Sequence, residues 1–396
     1  MTAPAAAPTT APDPFAPARL GPVTLRNRIV KAATFEGATR EHVVSDRLVA
    51  FHEAVARGGV GMTTVAYCAV SPEGCGTPNE LILTDDAVPG LARLADAVHA
   101  HGAAVSAQIG HAGAVAAATG HRGLAPSRTF SPLAMRFTRA IDDAGIARVT
   151  ADFAAAARRV ADAGFDAVEL HLGHGYLLSE FLSPRLNRRT DRWGGSLENR
   201  ARFPRQVVMA AREAVGDRIA VTAKLNMADG VPGGLWLDEA VRVAQMLDED
   251  GGLDAIQLTA GSSLQNPMYL FRGEAPVHEM AARFPRPARA GFRLLGGRFL
   301  RTYPFEEAYL LPYAREVRAA VKLPLVLLGG ITRRSTVELA MAEGFEFVAM
   351  ARALLREPDL VERMRIGATQ AGLCIHCNKC MPTIYSGTRC VLVEPR

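Results

Sequence analysis

Short apolar runs alternate with longer segments of helical periodicity along most of the chain. The runs are five or six residues long and predict buried strands, whereas apolar residues at every third or fourth position predict amphipathic helices. The predicted strands are 28–33, 60–65, 104–109, 166–170, 219–224, 254–259, 324–328 and 345–350. The helices that follow them are predicted at 46–57, 90–101, 149–163, 197–215, 240–247, 305–320, 335–343 and 359–364.

Eight strand-then-helix units with apolar strands predict an α/β fold, a single closed (β/α)8 TIM barrel. A dinucleotide-binding open sheet is disfavoured, because no Gly-x-Gly-x-x-Gly turn follows an early strand. We expect an Ala/Pro-rich disordered tail at 1–14, the barrel at 15–370 and a Cys-rich extension at 371–396. Two long irregular segments interrupt the repeat, at about 110–146 and at 262–304, and the second is typical of a functional lid.

Composition narrows the class of protein. Of 396 residues, 49% are apolar and 21% charged, which is typical of a soluble globular chain. The first residues lack a basic start and a long apolar core, so they do not predict a secretion signal. A net charge of +5 gives no basis for nucleic-acid binding. These features favour a cytoplasmic protein without a nucleic-acid or membrane partner. We also expect a small-molecule substrate and homo-oligomeric assembly.

Polar side chains stand where the predicted strands end, which is where such barrels carry their chemistry. Glycines at the end of the seventh strand allow close backbone approach, and an arginine after the eighth offers a charged fork, so together they predict a phosphate site. The alternative is a simple turn and a surface ion pair. The strand-end residues are Ala33, Thr34, Gln108, His171, His174, Tyr176, Lys224, Gly329, Gly330, Ala351 and Arg352.

Lys224 and Gln108 suggest a heterocycle at the barrel mouth. A lysine on an inward-pointing apolar strand is costly unless it meets an anion, such as the charge on a reduced flavin. The alternative for Lys224 is a buried structural ion pair. The amide of Gln108 both donates and accepts hydrogen bonds, so it could bind the edge of a ring; the alternative is a structural group whose hydrogen bonds are satisfied within the protein.

Two imidazoles and a phenol follow the fourth strand within six residues. His171 and His174 suit polarisation of a carbonyl oxygen, and Tyr176 suits delivery of a proton, because a phenol is protonated at neutral pH. The alternatives are core histidines or a metal pair. A metal would need a further ligand, for which Glu169 is the nearby candidate.

These residues belong to motifs that closely resemble the Old Yellow Enzyme family of FMN oxidoreductases, over about residues 15–365. The motifs are His171-x-x-His174-Gly-Tyr176-Leu, Phe181-Leu-Ser-Pro184, Asn187-x-Arg-Thr-Asp191-x-Trp-Gly-Gly195, Asn199-Arg-x-Arg-Phe203, Asn27-Arg28-Ile-Val, Gln108-Ile-Gly-His-Ala-Gly113 and Gly329-Gly-Ile.

The resemblance implies noncovalent FMN, reduced by NADH or NADPH, that passes hydride to the β-carbon of an α,β-unsaturated carbonyl compound. His171 and His174 would bind the carbonyl oxygen, and Tyr176 would protonate the α-carbon. Gln108 and Lys224 would hold the pyrimidine end of the flavin, and Gly330 and Arg352 its phosphate. Ala33, Thr34, Gly329 and Ala351 would complete the cofactor site.

Two positions depart from the family pattern. Lys224 stands where the family usually has arginine, so the charge is kept and the bidentate fork is lost. Ala33-Thr-Phe35 stands where the family often has Pro-x-Thr or Pro-x-Cys. Flavin potential and substrate preference therefore do not carry over from the resemblance.

Four cysteines crowd the end of the chain: Cys374, Cys377, Cys380 and Cys390. Without a secretion signal, clustered thiols favour a metal or a cluster over disulfides. They resemble the [4Fe-4S] ligands of 2,4-dienoyl-CoA reductases and trimethylamine dehydrogenases, although the last gap is shorter. A structural zinc or bare thiols are the alternatives. Those relatives carry a further electron-transfer domain and sometimes use a second histidine from the long loop, here His278.

Several functions remain open at this stage. The first is an FMN-dependent ene-reductase. Within the same family, the second is an iron–sulfur dienoyl-CoA reductase-like or amine-oxidising enzyme with an external electron-transfer partner. A flavin-free, phosphate-binding barrel lyase or isomerase and a non-catalytic flavin carrier are the third and fourth.

Overall fold

Eight parallel strands close into a barrel in the computed structural model, which describes residues 11–39, 41–116, 122–131 and 134–393. Each strand pairs with the next along the chain, and the last pairs with the first, so the barrel is closed. This confirms the predicted (β/α)8 architecture. The strands are β1 (Ile29–Lys31), β2 (Met62–Ala69), β3 (Ala104–Gly110), β4 (Ala167–Leu172), β5 (Ala220–Asn226), β6 (Ala255–Thr259), β7 (Leu325–Leu328) and β8 (Phe347–Met350).

Helices cover the outside of the barrel and its mouth. Ser45 caps the first helix as predicted, because its Oγ accepts a hydrogen bond of 3.2 Å from the N–H of Leu48. None of these helices is long and apolar enough to cross a membrane. The α-helices of the described residues are α1 (Asp46–Arg57), α2 (Val88–His99), α3 (Asp143–Asp162), α4 (Leu177–Leu182), α5 (Leu197–Val215), α6 (Leu237–Asp250), α7 (Pro267–Phe271), α8 (Val277–Ala281), α9 (Arg286–Phe299), α10 (Leu311–Ala320), α11 (Arg334–Ala342), α12 (Arg352–Arg356) and α13 (Leu360–Arg365).

The segment 262–304, predicted as irregular, contains the helices α7, α8 and α9. We call the whole segment 262–304 the lid. Within α9, which is described completely, Gly296 is the one buried residue. Ala288, Phe292, Leu295 and Phe299 do have helical spacing, but three glycines and a proline in the same stretch are poor helix formers and obscured it. The helix predicted from residue 305 begins later, at Leu311. Phe305 instead stacks on His376, with 3.3 Å between the ring centroids.

The other long segment, about 110–146, also contains short strands that the sequence did not predict. Leu124–Ala125 pairs with Arg139–Ala140, and Phe130–Ser131 pairs with Arg136–Phe137. Pairs of two residues are too short for an alternating pattern to show. Residues 1–10 of the predicted tail and 394–396 of the Cys-rich extension lie outside the described residues.

An antiparallel hairpin closes the amino end of the barrel. Its strands, Ala18–Leu20 and Val23–Leu25, pack against the first residues of several barrel strands. Many of these first residues are alanines, such as Ala104, Ala167 and Ala220, whose small side chains leave room for the hairpin. The carboxyl end of the barrel is left for a ligand.

Candidate active site

A cavity of about 1170 Å³ opens at the carboxyl ends of the barrel strands. It is large compared with the range of about 300–1,000 Å³ that is common for small-molecule and cofactor sites. The eleven strand-end residues singled out from the sequence all line it: Ala33, Thr34, Gln108, His171, His174, Tyr176, Lys224, Gly329, Gly330, Ala351 and Arg352.

Glu169 organises one end of the cavity. Its Oε1 lies 3.0 Å from the Nζ of Lys224 and accepts a hydrogen bond of 2.7 Å from the amide of Gln108. Its Oε2 accepts one of 2.9 Å from Gln257. The buried ion pair considered as an alternative for Lys224 is therefore present. An ammonium has three donors, so Lys224 keeps donors for the edge of a bound ring.

A second buried ion pair holds the segment after β1. The Nζ of Lys31 lies 2.6 Å from Oε1 of Glu36, and the other carboxylate oxygen accepts a hydrogen bond of 2.8 Å from the N–H of Ala66. Burial lowers the pKa of Lys31 and raises that of Glu36. These contacts fix Ala33 and Thr34, which lie between the two ends of the pair.

The three aromatic rings after β4 converge on the cavity. The ring centroids of His171 and Tyr176 are 4.6 Å apart, and those of His171 and His174 are 4.9 Å apart. A left-handed turn at His174, with φ +61°, and at Gly175, with φ +71°, brings them together. The N–H of His174 donates a 3.1 Å hydrogen bond to Asn226, which holds this turn.

The two imidazoles are not equivalent. Nε2 of His174 is 2.9 Å from the hydroxyl of Thr259, whereas Nδ1 of His171 is buried without a hydrogen-bond partner. Burial and the charge of Lys224 lower the pKa of His174 to about 3, and burial takes the pKa of His171 well below its usual value. Both rings are therefore neutral at physiological pH. His171 has an unused ring nitrogen for a ligand.

Tyr176 is a buried phenol that keeps its proton. Burial, with a smaller contribution from the charge of Glu80, raises its pKa above the usual value of about 10. It is therefore available as a proton donor throughout the physiological pH range.

Tyr67 and Glu80 also line this cavity, and the sequence analysis missed both. The centroids of Tyr67 and Tyr176 are 5.1 Å apart, and the hydroxyl of Tyr67 is buried without a partner. β2 runs to Ala69 and not to residue 65 as predicted. The apolar residues after Val65 could have indicated the longer strand, and with it Tyr67.

Glu80 makes the folded protein sensitive to pH. Its carboxyl accepts a hydrogen bond from Gly76, yet burial raises its pKa to about 7. As pH rises from about 4.5 to 7, the unfolded chain loses this proton before the folded chain does, so stability falls. Glu80→Gln is expected to reduce that loss by about 3 kcal/mol. Urea unfolding of both proteins at pH 5 and pH 8 measures it, and equal pH dependence would contradict the assignment.

The opposite end of the cavity suits a phosphate. Gly329 and Gly330 have φ values of +111° and +76°, and a Cβ on Gly330 would lie 2.7 Å from the carbonyl oxygen of Glu306. Only glycine fits this turn without strain. Arg352 donates to the carbonyl of Arg272 at 3.0 Å and to the side chain of Asn378, and neither neutralises its charge.

The cavity fits FMN by the chemistry of its two ends. Gln108 and Lys224 offer donors at one end, where the ring of a flavin carries carbonyl groups. The glycine turn and Arg352 offer a concave, cationic surface at the other. Between them, the buried and unpartnered Nδ1 of His171 and hydroxyl of Thr34 are left for ligand contacts.

The four C-terminal cysteines surround a separate cavity of about 20 Å³. Among the described residues, no group of three or more His, Cys, Asp or Glu side chains is arranged to hold one metal ion. Thiolates of a [4Fe-4S] cubane bind four different irons and do not converge on one point. Arg352 and Cys380 line both cavities, which makes the two sites adjacent. His278 is exposed and does not line either cavity.

The fold and the site define a (β/α)8-barrel flavoenzyme that catalyses oxidation and reduction. The sequence profile of the NADH:flavin oxidoreductase / NADH oxidase family matches residues 13–263, so the chain belongs to this Old Yellow Enzyme family. The predicted family and the predicted class of flavin-dependent oxidoreductase are thus confirmed. The flavin-free lyase or isomerase considered above is wrong.

The relatives differ in length and in named activity. A 4,4′-dithiodibutanoate disulfide reductase of Rhodococcus erythropolis is 58% identical over 97% of this chain and 96% of its own length. A metal reductase of Desulforamulus reducens is 35% identical over 94% of this chain, which spans 52% of that protein. The chain therefore matches one relative almost end to end and about half of the other.

The similar solved structures also include one chain of about the same length as this one and one about twice as long. An Old Yellow Enzyme homologue from Zymomonas mobilis superposes with a TM-score of 0.72 and 26% identity, over 92% of this chain and 96% of that one. Histamine dehydrogenase from Rhizobium sp. 4-9 superposes with a TM-score of 0.75 and 27% identity, over 89% of this chain and 48% of that one.

Proposed function

We propose that this protein is an NAD(P)H-dependent ene-reductase that reduces α,β-unsaturated carbonyl compounds. The observation that carries the proposal is the cavity in which the unpartnered nitrogen of His171 and the phenol of Tyr176 lie beside one another. FMN, when bound, accepts two electrons from NADH or NADPH and supplies them as a hydride to the β-carbon.

The residues of the chain divide the remaining work. A neutral imidazole donates through one nitrogen, so Nδ1 of His171 can donate to the carbonyl oxygen of the substrate. This polarises the double bond and stabilises charge that develops on the oxygen. His174, held by Thr259, supports the same oxygen from the adjacent position. Tyr176 then delivers its proton to the α-carbon. The hydride and this proton together add two hydrogen atoms across the double bond.

An organic disulfide is the second candidate acceptor. It is favoured by the 58% identity, over nearly the full length of both chains, to a protein named for reduction of 4,4′-dithiodibutanoate. In this reaction hydride attacks one sulfur, the S–S bond breaks, and the departing thiolate takes a proton. The products are two thiols, with NAD(P)⁺ formed from NAD(P)H. The same cavity would serve, with Tyr176 placed near the leaving sulfur.

Turnover of the purified, FMN-loaded protein tests both acceptors. We expect oxidation of NADH or NADPH to accelerate when 2-cyclohexenone is added, with cyclohexanone as product. The parallel assay uses 4,4′-dithiodibutanoate and counts free thiols. Turnover of the disulfide alone would replace the first proposal by the second, and oxidation unaffected by either acceptor would refute both. Cytoplasmic location and homo-oligomeric assembly stay predictions.

For the C-terminal cysteines we propose a [4Fe-4S] cluster that exchanges electrons with an external partner protein. The support is their position around one cavity and the left-handed backbone at His376 and Asn378, whose φ values are +58° and +54°. Such turns point successive N–H groups inward and suit an anionic group. The cluster would allow the dienoyl-CoA reductase-like or amine-oxidising chemistry that the sequence left open.

Anaerobically purified protein is expected to contain about four irons and four sulfides per chain. Cys377→Ser should lower both contents together, whereas Cys68→Ser, a buried cysteine far along the chain from this motif, should leave them unchanged. Stoichiometric zinc without sulfide would contradict the cluster.

A further inference from the structure

The cavity extends to the lid, where many of its lining residues are apolar. One wall comes from the lid, where Phe284, between α8 and α9, and Phe292 of α9 pack with 4.8 Å between ring centroids. The facing wall comes from the turn after the cysteine motif, with Met381, Ile384 and Tyr385. Two facing apolar walls suit an extended hydrocarbon chain.

The charges that line the cavity do not balance. In the described part of the chain, its lysine and arginine residues are Lys224, Arg283 and Arg352, and its one carboxyl group is Glu80. Lys224 is neutralised by Glu169, and Arg352 lies at the glycine turn that suits the flavin phosphate. Arg283 has no carboxylate partner among the residues that the structure describes. Its guanidinium only reaches the hydroxyl of Ser386, at 3.4 Å.

Arg283 is exposed at the cavity and is paired with no carboxylate of the described ranges, so its guanidinium is available to an anion from outside. It stands in the lid, between α8 and α9, and Phe284 follows it directly in the apolar wall. Its contact with Ser386 crosses to the opposite wall, so the guanidinium lies at the rim where the two walls meet. A guanidinium in this position can bind a carboxylate through two parallel hydrogen bonds.

We propose that Arg283 binds the terminal carboxylate of an extended, apolar acceptor. The reducible bond of the acceptor would lie at His171 and Tyr176, and its hydrocarbon chain would lie between the lid and the turn at Met381–Tyr385. This rests on the proposed function and adds the substrate class: a carboxylic acid that carries its reducible group some distance from the carboxylate.

A binding experiment on the oxidised, FMN-loaded enzyme tests this without turnover. The probes are 8-oxononanoate, a saturated methyl ketone with a carboxylate at the far end, and its methyl ester, each titrated by the change in flavin absorbance. The wild type should bind the acid more tightly than the ester. Arg283→Gln should weaken binding of the acid about 5- to 20-fold and leave the ester unchanged.

Two further variants separate a specific contact from a general charge effect. Arg286→Gln removes an exposed charge of the same lid that does not line the cavity, and it should change neither affinity. Arg283→Lys keeps the charge without the fork and should recover part of the preference for the acid. Equal binding of acid and ester by the wild type would overturn the proposal.

Under the proposed function, NADH is a further anion that would enter this mouth. Arg283→Gln should leave the rate of flavin reduction by NADH in a single turnover unchanged. Slower reduction, together with equal losses for acid and ester, would assign Arg283 to the phosphates of the dinucleotide and overturn the proposal. Selective binding of the acid without turnover of any acceptor would instead refute the proposed function and leave the carboxylate site standing.

Discussion

Tyr176→Phe is expected to lower the rate of alkene reduction by about 10²- to 10⁴-fold, the usual contribution of a positioned general acid. The phenol is buried, keeps its proton, and lies 4.6 Å, between centroids, from the imidazole that would hold the carbonyl. The change removes one oxygen atom and keeps the ring, so packing against Tyr67 should be preserved. Stopped-flow measurement of the reoxidation of reduced flavin by 2-cyclohexenone isolates this step.

Flavin reduction by NADH, measured on the same variant, is the control and should be unchanged, since that half-reaction needs no proton from Tyr176. The matched variant Tyr67→Phe also removes a cavity hydroxyl and should have a much smaller effect. Disulfide reduction should suffer less than alkene reduction, because a departing thiolate with a pKa of about 8.5 can take its proton from water, whereas the α-carbon must be protonated to complete reduction of the alkene. An unchanged rate with the enone would remove Tyr176 from the chemistry and favour the non-catalytic flavin carrier.

Glu169→Leu is expected to lower the free energy of unfolding of the apoprotein by about 3–5 kcal/mol. The substitution leaves the charge of Lys224 buried without its partner, and the amides of Gln108 and Gln257 lose their acceptor. The side chains of Lys224 and Glu169 are 2% and 6% exposed, so water cannot replace the lost contacts. Urea unfolding followed by tryptophan fluorescence gives the value.

The double variant Glu169→Leu with Lys224→Met provides the control. It removes both charges, so it should recover more than half of the stability that the single substitution loses. Its affinity for FMN should remain low, because the donor for the pyrimidine end is gone. A single substitution that costs less than about 1 kcal/mol would mean that the ion pair contributes little to the fold.

The barrel and much of its mouth could be predicted because both follow from local pattern. A buried parallel strand is a continuous apolar run, and eight such runs are found close to their predicted positions. Because the strands are parallel, their carboxyl ends all lie on one side of the barrel, whatever the details of side-chain packing. This is why residues as distant as Thr34 and Arg352 could be assigned to one cavity.

The rest depends on contacts between distant segments. Nothing local marks Glu80 as part of the mouth or Glu36 as the partner of Lys31. The helices of the lid were missed for a different reason. The longest of them, α9, has apolar residues at helical spacing, but its three glycines and one proline are poor helix formers and argued against a helix.

Asn378 lies between the second and third cysteines of the C-terminal motif. Its side chain accepts a hydrogen bond from Arg352, which lines the flavin cavity. Damage to the thiols by air would loosen this asparagine, and the arginine that suits the phosphate would lose its support. Protein purified in air should then lose bound FMN, and with it the yellow colour, faster than protein kept under nitrogen. During folding, the C-terminal motif should likewise have to form before the protein can retain FMN.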